Sequence, residues 1–275
     1  MNCDSRTWLF VPGDRPERFA KAAAAGADEV ICDLEDAVGD DAKPAARDAV
    51  AAFLAAPGRM WVRVNGADTV WHDADLAALA GLPGLAGVIV PKAESIEILD
   101  RAASLLDAET PLVALIETAR GLLAAPTIAA HRSVQRLAFG SIDFALDIGC
   151  ADEDTSLLFA RSSLVVASRA AGLAGPLDGV TTDLTDTARI GADARRARAL
   201  GFGGKLCIHP RQVAAVAAGF APTAAELDWA HRVLAEGSSG GAAAHDGAMI
   251  DRPVLQQARR LVADRHFQGG SRATP

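Results

Sequence analysis

Four carboxylic acids of this sequence come at or just after the end of a short apolar run: Glu35, Asp36, Glu117 and Asp143. Carboxylates that lie close together repel one another and raise one another's pKa. A hard divalent cation removes this repulsion, and one or two carboxylates, with the other positions left to water and substrate, suit Mg²⁺. The residues therefore predict a magnesium site, with Glu117 and Asp143 as the best pair of ligands. The alternative for any single one of them is a salt bridge or a helix cap.

Arg63 lies between Val62 and Val64 in another short apolar run. We expect its side chain to point into the protein or to its rim, and a buried guanidinium needs an anionic partner. One interpretation is an ion pair in the core with Asp33 or Glu35. The other is an electrophilic group that stabilises an oxyanion during a reaction. The residues alone leave both interpretations open.

These side chains can act together only if a scaffold brings the ends of separate runs to one place. Short apolar runs that are rich in β-branched or aromatic residues recur along the chain, and such runs are typical of strands buried on both faces. They are Trp8–Val11, Val30–Leu34, Trp61–Val64, Gly87–Val90, Leu112–Ile116, Leu137–Gly140, Gly179–Thr182 and Lys205–Ile208. Alanine-rich stretches with helical signals lie between them. Pro16 opens one of these stretches, Pro44 opens another, and Gly26 closes the first.

Eight such runs joined by helical crossovers predict an α/β protein with a closed (β/α)8 barrel, or TIM barrel. In these barrels the active site lies at the carboxyl ends of the strands, where the carboxylates and Arg63 would meet. An open doubly wound sheet is the competing fold, and it usually carries a G-x-G-x-x-G fingerprint at its first turn. The first turn here reads Val11-Pro12-Gly13-Asp14-Arg15-Pro16, which lacks that fingerprint and so favours the barrel.

The pattern changes near residue 220, so we expect a barrel over residues 1–220 and a C-terminal helical arm over residues 221–275. The arm should begin with a helix over Pro222–Glu236, because Thr223 and Glu226 have the spacing of a capping box. A glycine- and serine-rich hinge linker, residues 237–241, follows. The remainder should form a short unit, a final helix and a disordered tail, at His245–Pro253, Val254–His266 and Gly269–Pro275. A hinged arm of this kind suggests a lid that closes over a ligand.

The chain has 275 residues and a formal net charge of −8. This acidic balance argues against nucleic acid and anionic membranes as partners, since both require a large basic face. We find no signal peptide and no apolar run of roughly 18 residues that could span a membrane. Four scattered cysteines lack metal-binding spacing, as in a cytosolic protein with reduced thiols: Cys3, Cys32, Cys150 and Cys207. We therefore expect a cytoplasmic protein.

Eight segments follow one another from residue 6 to residue 253: Arg6–Gly13, Asp33–Val38, Val62–Asn65, Val90–Glu94, Leu115–Ala119, Phe139-Gly140 with Asp143, Gly204-Lys205 with Ile208–Pro210, and Asp246–Pro253. In this order the chain resembles the citrate lyase β-subunit-like proteins of the HpcH/HpaI aldolase/citrate lyase family. Any one segment is a weak signal. All eight in order are highly specific for the family, and much less specific for the substrate.

The resemblance implies a Mg²⁺-dependent barrel enzyme that makes or breaks a carbon–carbon bond next to a coenzyme A (CoA) thioester. Glu117 and Asp143 match the two metal-ligand positions of the family. Glu35 and Asp36 match acidic positions that hold metal-bound water. Arg63 matches the arginine that contacts the carbonyl substrate or the thioester oxygen.

The same resemblance implies where CoA and the arm take part. The first loop, with Arg15 and Lys21, looks like the region that binds the CoA phosphates, and His209 and Pro210 would lie near the CoA as well. Asp251 matches an aspartate on the arm that reaches a neighbouring subunit's site in relatives, where it would act as the acid–base at the enolate carbon. This implies a homo-oligomer, either a trimer or a hexamer. Judged from the residues alone, Asp251 could instead be a plain helix N-cap.

The leading hypothesis is a lyase that cleaves or forms a β-hydroxyacyl-CoA, such as malyl-CoA, citramalyl-CoA or a citryl thioester, with acyl-CoA and a keto acid as products. One alternative is a CoA-independent aldolase that splits hydroxy keto acids into pyruvate and an aldehyde. Another alternative is a non-catalytic acyl-CoA-binding subunit. The clustered carboxylates argue against the last one, since a retired site has no physical reason to keep desolvated charges together.

Overall fold

The computed structural model describes residues 5–56, 58–237, 243–245 and 248–266 of the chain. Its internal contacts group into two compact units, Met1–Phe220 and Ala221–Pro275. The first unit contains a β-barrel with its covering helices. The second contains two helices and a two-stranded sheet.

Eight parallel strands of the first unit close into a barrel in their order along the chain. Each strand pairs with the next one, and the last pairs with the first, where Trp8 lies beside Leu206. The strands are β1 (Thr7–Pro12), β2 (Glu29–Asp33), β3 (Met60–Arg63), β4 (Leu85–Val90), β5 (Leu112–Ile116), β6 (Val134–Phe139), β7 (Leu177–Asp178) and β8 (Gly204–Cys207). The predicted (β/α)8 barrel is confirmed.

The strands are apolar along their length because both of their faces are buried. Successive side chains of a strand point to opposite faces. Trp8 and Trp61 belong to the apolar cluster inside the barrel, with their ring centroids 5.0 Å apart. Leu9 and Val62, the next residues along, belong to the larger apolar layer shared with the helices. This double burial explains why the sequence shows continuous apolar runs rather than an alternating pattern.

Helices cover the barrel and connect its strands. They are α1 (Phe19–Ala23), α2 (Lys43–Ala55), α3 (His72–Leu79), α4 (Ile96–Leu105), α5 (Ala119–Ala129), α6 (Ser141–Ile148), α7 (Asp154–Ala170), α8 (Thr187–Leu200) and α9 (Pro210–Phe220), with short 3-10 turns at Pro16–Arg18 and Asp40–Ala42. Two helices, α6 and α7, lie between β6 and β7. Thr118 caps α5, because its Oγ1 accepts a hydrogen bond from Gly121 N at 3.1 Å. The chain therefore turns into a helix directly after Glu117.

The seventh strand is the barrel strand whose predicted range does not overlap the observed one. The prediction put it at Gly179–Thr182, but β7 is the two-residue strand Leu177–Asp178. Leu177 is one of the apolar side chains inside the barrel, and Asp178 is buried against Arg161, with Asp178 Oδ1 accepting from Nε at 2.9 Å. The buried aspartate interrupts the apolar pattern that marks the other strands. The segment that follows is a loop whose carbonyl groups bind side chains.

The second unit contains α10 (Ala224–Gly237), the antiparallel pair β9 (Ala243–His245) and β10 (Ala248–Ile250), and α11 (Arg252–His266). A small apolar core of Ala230, Val233 and Ala258 joins its two helices. The capping box is present in both directions: Glu226 N donates to Thr223 Oγ1 at 3.2 Å, and Thr223 N donates to Glu226 Oε2 at 2.7 Å. Residues 238–241 of the predicted linker and the predicted tail lie outside the described residues.

The thiols of Cys32 and Cys207 are free and buried inside the barrel unit. Burial raises the pKa of each of them to about 12, so both stay protonated and unreactive. Cys150 is also free, and Cys3 lies outside the described residues. Across the part of the chain that the structure describes, no helix is both long enough and apolar enough to span a membrane.

Candidate active site

Charged side chains gather at the carboxyl ends of four neighbouring strands. Asp33 is the last residue of β2 and Arg63 is the last residue of β3. Lys92 comes shortly after β4, and Glu117 comes directly after β5. Because adjacent parallel strands end at the same rim, these four residues are brought together although they are far apart in sequence.

Arg63 is held by a planar pair of bonds to Asp33. Its Nε donates to Asp33 Oδ1 at 2.7 Å and its Nη2 donates to Asp33 Oδ2 at 2.6 Å. Its Nη1 lies 3.1 Å from Glu35 Oε2 and 3.2 Å from Asp36 Oδ2. The guanidinium also lies over the ring of Phe10, 4.8 Å from its centroid. The core ion pair with Asp33, one of the two open interpretations, is therefore present.

These contacts leave Arg63 with limited capacity for a further ligand. Burial disfavours its charged form, but Asp33 and the other nearby carboxylates outweigh burial and raise the pKa of Arg63. A guanidinium has five N–H groups in a fixed plane. Its hydrogen bonds to Asp33 and Asp36 use three of them, one each on Nε, Nη1 and Nη2, so the second N–H group of Nη2 stays available for an oxyanion. The electrophilic interpretation is compatible with the ion pair rather than excluded by it.

Glu35 lies buried between two cations. Its Oε2 faces Arg63, and its Oε1 accepts from Lys92 Nζ at 3.2 Å. Burial raises the pKa of Glu35, against the opposing effect of Arg63. Asp33 orients the same loop, since Oδ1 accepts from Glu35 N at 3.0 Å and Oδ2 accepts from Ala37 N at 3.2 Å. The side chain of Asp33 thus fixes the backbone of the loop after β2.

A buried lysine supports this loop from behind. Lys43 Nζ donates to Leu34 O at 3.1 Å, to Glu35 O at 2.9 Å and to Asn65 Oδ1 at 2.7 Å. Asn65 is in turn held by Asp75, whose Oδ2 accepts from Asn65 N at 3.0 Å and from Asn65 Nδ2 at 2.6 Å. All three ammonium N–H groups have acceptors, so the charge of Lys43 is used for support and is not free for a ligand.

Glu117 is the most perturbed carboxyl group of this cluster. It is buried, and its Oε1 accepts a hydrogen bond from Lys92 N at 2.8 Å. Burial, the charge of Glu35 and the charge of Asp143 raise the pKa of Glu117 from 4.5 to about 8. Asp143 lies in the first turn of α6, beyond the end of β6. Because β5 and β6 are paired, the two predicted metal ligands follow adjacent strands and influence each other electrostatically.

The surroundings of Glu117 fit a divalent cation. A Cβ atom at Gly140 would come within 2.6 Å of Glu117 Oε2, so the glycine keeps space beside that oxygen. Carboxylate oxygens are ligands that Mg²⁺ prefers, and its charge would offset the repulsion that raises the pKa. Within the described ranges, no group of three or more His, Cys, Asp and Glu side chains could hold a metal ion by itself. Two carboxylates, with open positions for water and substrate, match the predicted kind of site.

The residues predicted to bind CoA lie in the two adjacent segments that follow β1 and β8; Lys21 is in α1 and Pro210 is the first residue of α9. Arg15 and Lys21 follow β1 and are exposed, while His209 and Pro210 follow β8, and β1 and β8 are paired. His209 Nδ1 accepts from Arg211 N at 3.1 Å, which leaves Nε2 as the ring's donor when the ring is neutral.

Gln212, which the sequence did not single out, ties two loops of this rim together. It is buried, and its Oε1 accepts from the backbone N–H groups of Ile208 at 2.8 Å and His209 at 3.3 Å. Its Nε2 donates to Thr181 O at 2.7 Å and to Asp183 O at 2.9 Å. One amide group therefore fixes the loop after β7 against the loop after β8.

Asp251 belongs to the second unit and lies just before α11. Its Oδ1 accepts from Val254 N at 3.1 Å, and its side chain is exposed. This is the geometry of a helix N-cap, so the plain interpretation of Asp251 is present in the structure. A catalytic role for the same carboxylate stays a prediction.

Three supporting residues of the site were given no role in the sequence analysis: Lys43, Lys92 and Gln212. Lys92 had a usable signal, since it follows an apolar run in the same way as Glu117 does. Lys43 and Gln212 lie within or beside alanine-rich helical stretches, where nothing local shows that they bind the backbone of loops.

The fold and this cluster define a (β/α)8-barrel enzyme with an acidic centre at the carboxyl ends of its strands. The family model described as HpcH/HpaI aldolase/citrate lyase matches residues 6–210. The chain belongs to the HpcH/HpaI aldolase/citrate lyase family, and the predictions of this family and of a carbon–carbon lyase are confirmed.

Two relatives and one crystal structure match nearly the whole chain. A citrate lyase subunit beta-like protein of Mycobacterium tuberculosis is 40% identical over 264 residues, which cover 93% of each chain. A (3S)-malyl-CoA thioesterase of Cereibacter sphaeroides is 35% identical over 269 residues, which cover 94% of this chain and 93% of the relative. The crystal structure of protein CitE from M. tuberculosis in complex with magnesium, acetoacetate and coenzyme A superposes with a TM-score of 0.87 at 39% identity, and the match covers 97% of this chain and 100% of that chain.

Proposed function

We propose that the chain is a Mg²⁺-dependent lyase that cleaves or forms the carbon–carbon bond of a β-hydroxyacyl-CoA, such as malyl-CoA, citramalyl-CoA or a citryl thioester. The observation that carries this proposal is the buried Glu117 carboxyl, which shares a rim with Arg63. Burial, Glu35 and Asp143 together raise the pKa of Glu117 to about 8. The complex of the M. tuberculosis protein with magnesium, acetoacetate and coenzyme A supports the same classes of ligand for this chain.

Glu117 and Asp143 would hold the Mg²⁺ ion. When bound, the ion would polarise the hydroxyl or keto oxygen of the substrate as a Lewis acid. Glu35 and Asp36 would orient water around it, and both are already restrained by Arg63. The protein thus supplies four carboxylates and compensates only part of their charge with its own cations, which leaves a deficit that a divalent cation can fill.

Arg63 would stabilise the enolate of the thioester. In the cleavage direction the bond between the carbon next to the thioester and the hydroxyl-bearing carbon breaks, and its electron pair moves into the thioester enolate. The hydroxyl proton passes to solvent water as the new carbonyl forms, and the enolate carbon later takes up one proton, so the overall cleavage is balanced. The available N–H group of Arg63 Nη2 would then bind the enolate oxygen, and its position is fixed in advance by Asp33.

Asp251 would protonate the enolate carbon in cleavage and deprotonate it in synthesis. In a homo-oligomer, either a trimer or a hexamer, the C-terminal unit of one subunit would bring this group to the site of its neighbour. The exposed carboxyl uses Oδ1 in the cap of α11. The basic residues Arg15 and Lys21 after β1, with His209 and Pro210 after β8, would bind the CoA portion.

The function is tested with a panel of thioesters and product analysis by liquid chromatography and mass spectrometry. With Mg²⁺, malyl-CoA should give acetyl-CoA and glyoxylate, or citramalyl-CoA should give acetyl-CoA and pyruvate, and EDTA should stop the reaction. The thioesterase relative makes hydrolysis the contrasting outcome, with free CoA and the hydroxy acid as products. Absence of cleavage and synthesis with every thioester would overturn the proposal. Release of pyruvate from a free hydroxy keto acid would favour the CoA-independent aldolase.

The role of Asp251 is tested by Asp251→Asn, because asparagine keeps the N-cap of α11 and removes the acid. We expect turnover to fall by about 10²–10⁴-fold, the usual contribution of a general acid or base. Thermal unfolding and the oligomeric state should not change. A variant that reacts at the wild-type rate would leave Asp251 as a cap alone.

A further inference from the structure

Lys92 contacts both acidic parts of the site through two different groups. Its backbone N–H donates to Glu117 Oε1 at 2.8 Å, and its Nζ donates to Glu35 Oε1 at 3.2 Å. Glu35 and Glu117 follow different strands and repel each other, since the charge of Glu35 is, after burial, the main cause of the raised pKa of Glu117. Lys92 therefore bridges two carboxylates that would otherwise move apart or share a proton.

The backbone of Lys92 is in the left-handed region, with φ at 46°. Among the residues that the structure describes, it is the one non-glycine residue with a positive φ. A residue with a Cβ atom adopts this conformation at an energetic cost, and such strain persists where surrounding contacts impose it, often at functional sites. The next residue is pinned to the neighbouring strand, because Ala93 N donates to Leu115 O at 3.1 Å. The strained turn is thus held by two successive backbone N–H groups, that of Lys92 on Glu117 and that of Ala93 on Leu115.

The ammonium group of Lys92 is more accessible than Arg63 and Glu35, the two buried charges that lie beside it. The side chain of Lys92 is 45% exposed, against 10% for Arg63 and 8% for Glu35. Arg63 is already bound by three carboxylates, whereas Lys92 reaches Glu35 from the open side. The two cations therefore contact different oxygens of Glu35, Arg63 at Oε2 and Lys92 at Oε1.

We propose that Lys92 is a positioning residue of this site, whose left-handed backbone fixes Glu117 and whose ammonium fixes Glu35. The inference rests on the proposed function in one respect, namely that Glu117 is a metal ligand. The two roles use different atoms of Lys92, so substitutions can separate them.

The backbone role is tested with Lys92→Gly and Lys92→Val, which both lack the ammonium. Glycine adopts a positive φ freely, whereas a β-branched side chain strongly opposes it. Mn²⁺ can replace Mg²⁺ as a probe, and its dissociation constant is measured by electron paramagnetic resonance without any thioester. We expect Lys92→Gly to bind Mn²⁺ at least as tightly as the wild type, because it keeps the N–H group and removes a positive charge. Lys92→Val should bind at least about tenfold more weakly, the usual effect of losing a residue that orients a ligand.

Equal Mn²⁺ affinity in the glycine and valine variants would overturn the backbone role. If Lys92→Val does not fold, Lys92→Ala gives the same comparison with Lys92→Gly at smaller strain. Since this readout needs no substrate, it stays informative even if every thioester of the panel is inert, so failure of the proposed function and failure of this inference are distinguishable.

The ammonium role is tested with Lys92→Met and Lys92→Arg, which are unbranched at Cβ and so meet the same backbone restraint. We expect kcat of Lys92→Met to fall at least about tenfold, with KM for the thioester within about threefold and Mn²⁺ binding no weaker than in the wild type. Lys92→Arg should recover most of kcat. Arg120, an exposed cation that pairs with Glu94 at 3.5 Å, provides the control Arg120→Met, which should behave as the wild type. Wild-type kcat in Lys92→Met would overturn the ammonium role.

Discussion

The two ends of the barrel carry similar charged side chains, but the protein satisfies them to different degrees. At the amino end, Glu29 accepts from Ser5 Oγ at 3.2 Å, Arg59 Nη1 at 3.1 Å and Trp61 Nε1 at 3.2 Å. At the carboxyl end, Glu117 is equally buried, and burial together with neighbouring carboxylates raises its pKa to about 8. The protein's own donors satisfy the carboxylate at one end, and at the other end buried carboxylates repel one another more than the nearby cations compensate.

This difference shows that a buried carboxylate marks a functional site only when its partners are insufficient. A buried polar group that has its hydrogen bonds contributes to stability, whereas one that lacks them costs free energy and is kept for another reason. The half-buried Asp28 at the amino end is satisfied in the same way as Glu29, since its Oδ2 accepts from Arg6 N, Thr7 N and Thr7 Oγ1, each at 2.9 Å. Position along the strand, and not residue type, separates the two roles.

The largest expected effect comes from the same substitution made at both ends. Glu117→Gln should reduce turnover by about 10³-fold or more, because the metal ion it holds contributes several kcal/mol to the transition state. It should also make the metal-free chain more stable near pH 8, since the folded wild type must there either bind a proton or carry a buried charge. Glu29→Gln should instead lower stability by about 1–3 kcal/mol, because an amide now faces N–H donors. Turnover and thermal unfolding, measured on both variants, test the comparison.

The comparison fails if Glu29→Gln loses turnover at a temperature where it is fully folded, or if Glu117→Gln destabilises the metal-free chain as much as Glu29→Gln does. Isothermal calorimetry with Mg²⁺ gives an independent readout, because it should detect binding in Glu29→Gln and none in Glu117→Gln.

The next effect concerns the pH dependence of stability. In the folded chain without metal the pKa of Glu117 is about 8, against an ordinary value of 4.5. Between these values the folded state binds a proton that the unfolded state releases, so stability falls as the pH rises from 4.5 to about 8. Mg²⁺ should reverse this loss, because it replaces the proton. We therefore expect the Tm gain from Mg²⁺ to be largest near pH 8 and small near pH 5.

The matched control is the Tm of Glu117→Gln, which lacks this titration. In EDTA the Tm of Glu117→Gln minus that of the wild type should grow between pH 5 and pH 8. A difference for Glu117→Gln that does not change with pH would show that another group governs the acid–base behaviour of the rim.

Much of the barrel could be predicted because its strands are buried on both faces, and this burial leaves continuous apolar runs in the sequence. β7 could not, since it has two residues and one of them, Asp178, is charged. The charge survives there because Arg161 and Lys205 surround it and, despite burial, lower its pKa. A pattern based on apolar residues cannot anticipate a strand whose outward residue is an ion pair.

In the site, too, features that follow from strand order could be predicted, whereas features that depend on three-dimensional contacts could not. Glu117 and Asp143 could be predicted as neighbours because strand order alone places them there. The role of Lys92 depends on a backbone angle, and the register between β2 and β3 decides that Asp33, rather than Glu35, forms the paired hydrogen bonds with Arg63. Neither is encoded in a short window of sequence. Lys43 is a further case, since its ammonium binds loop carbonyl groups that no composition signal reveals.

The smallest expected effect comes from Gln212, which fixes the loops near the proposed CoA site. It is compared with Asp28, which has a similar supporting role at the amino end. Gln212→Glu places a carboxylate oxygen against the carbonyl oxygens of Thr181 and Asp183, which now accept from Nε2 at 2.7 Å and 2.9 Å. The loop carrying His209 should then lose its fixed position. We expect KM for the thioester to rise about tenfold, which corresponds to about 1.4 kcal/mol, with kcat within about threefold of the wild type.

Asp28→Asn is the matched change at the opposite end. It also exchanges a carboxylate and an amide, in the reverse direction, and the Asp28 side chain also binds the backbone of another segment. It should lower the Tm to a similar extent and leave KM unchanged, since Asp28 lies before β2, on the far side of the barrel from the strand ends that precede His209. If both variants raise KM equally, loop rigidity at the carboxyl end has no special part in binding, and the effect of Gln212→Glu is a general loss of stability. If only Gln212→Glu raises KM, the two ends differ in function even where their side chains do the same structural work.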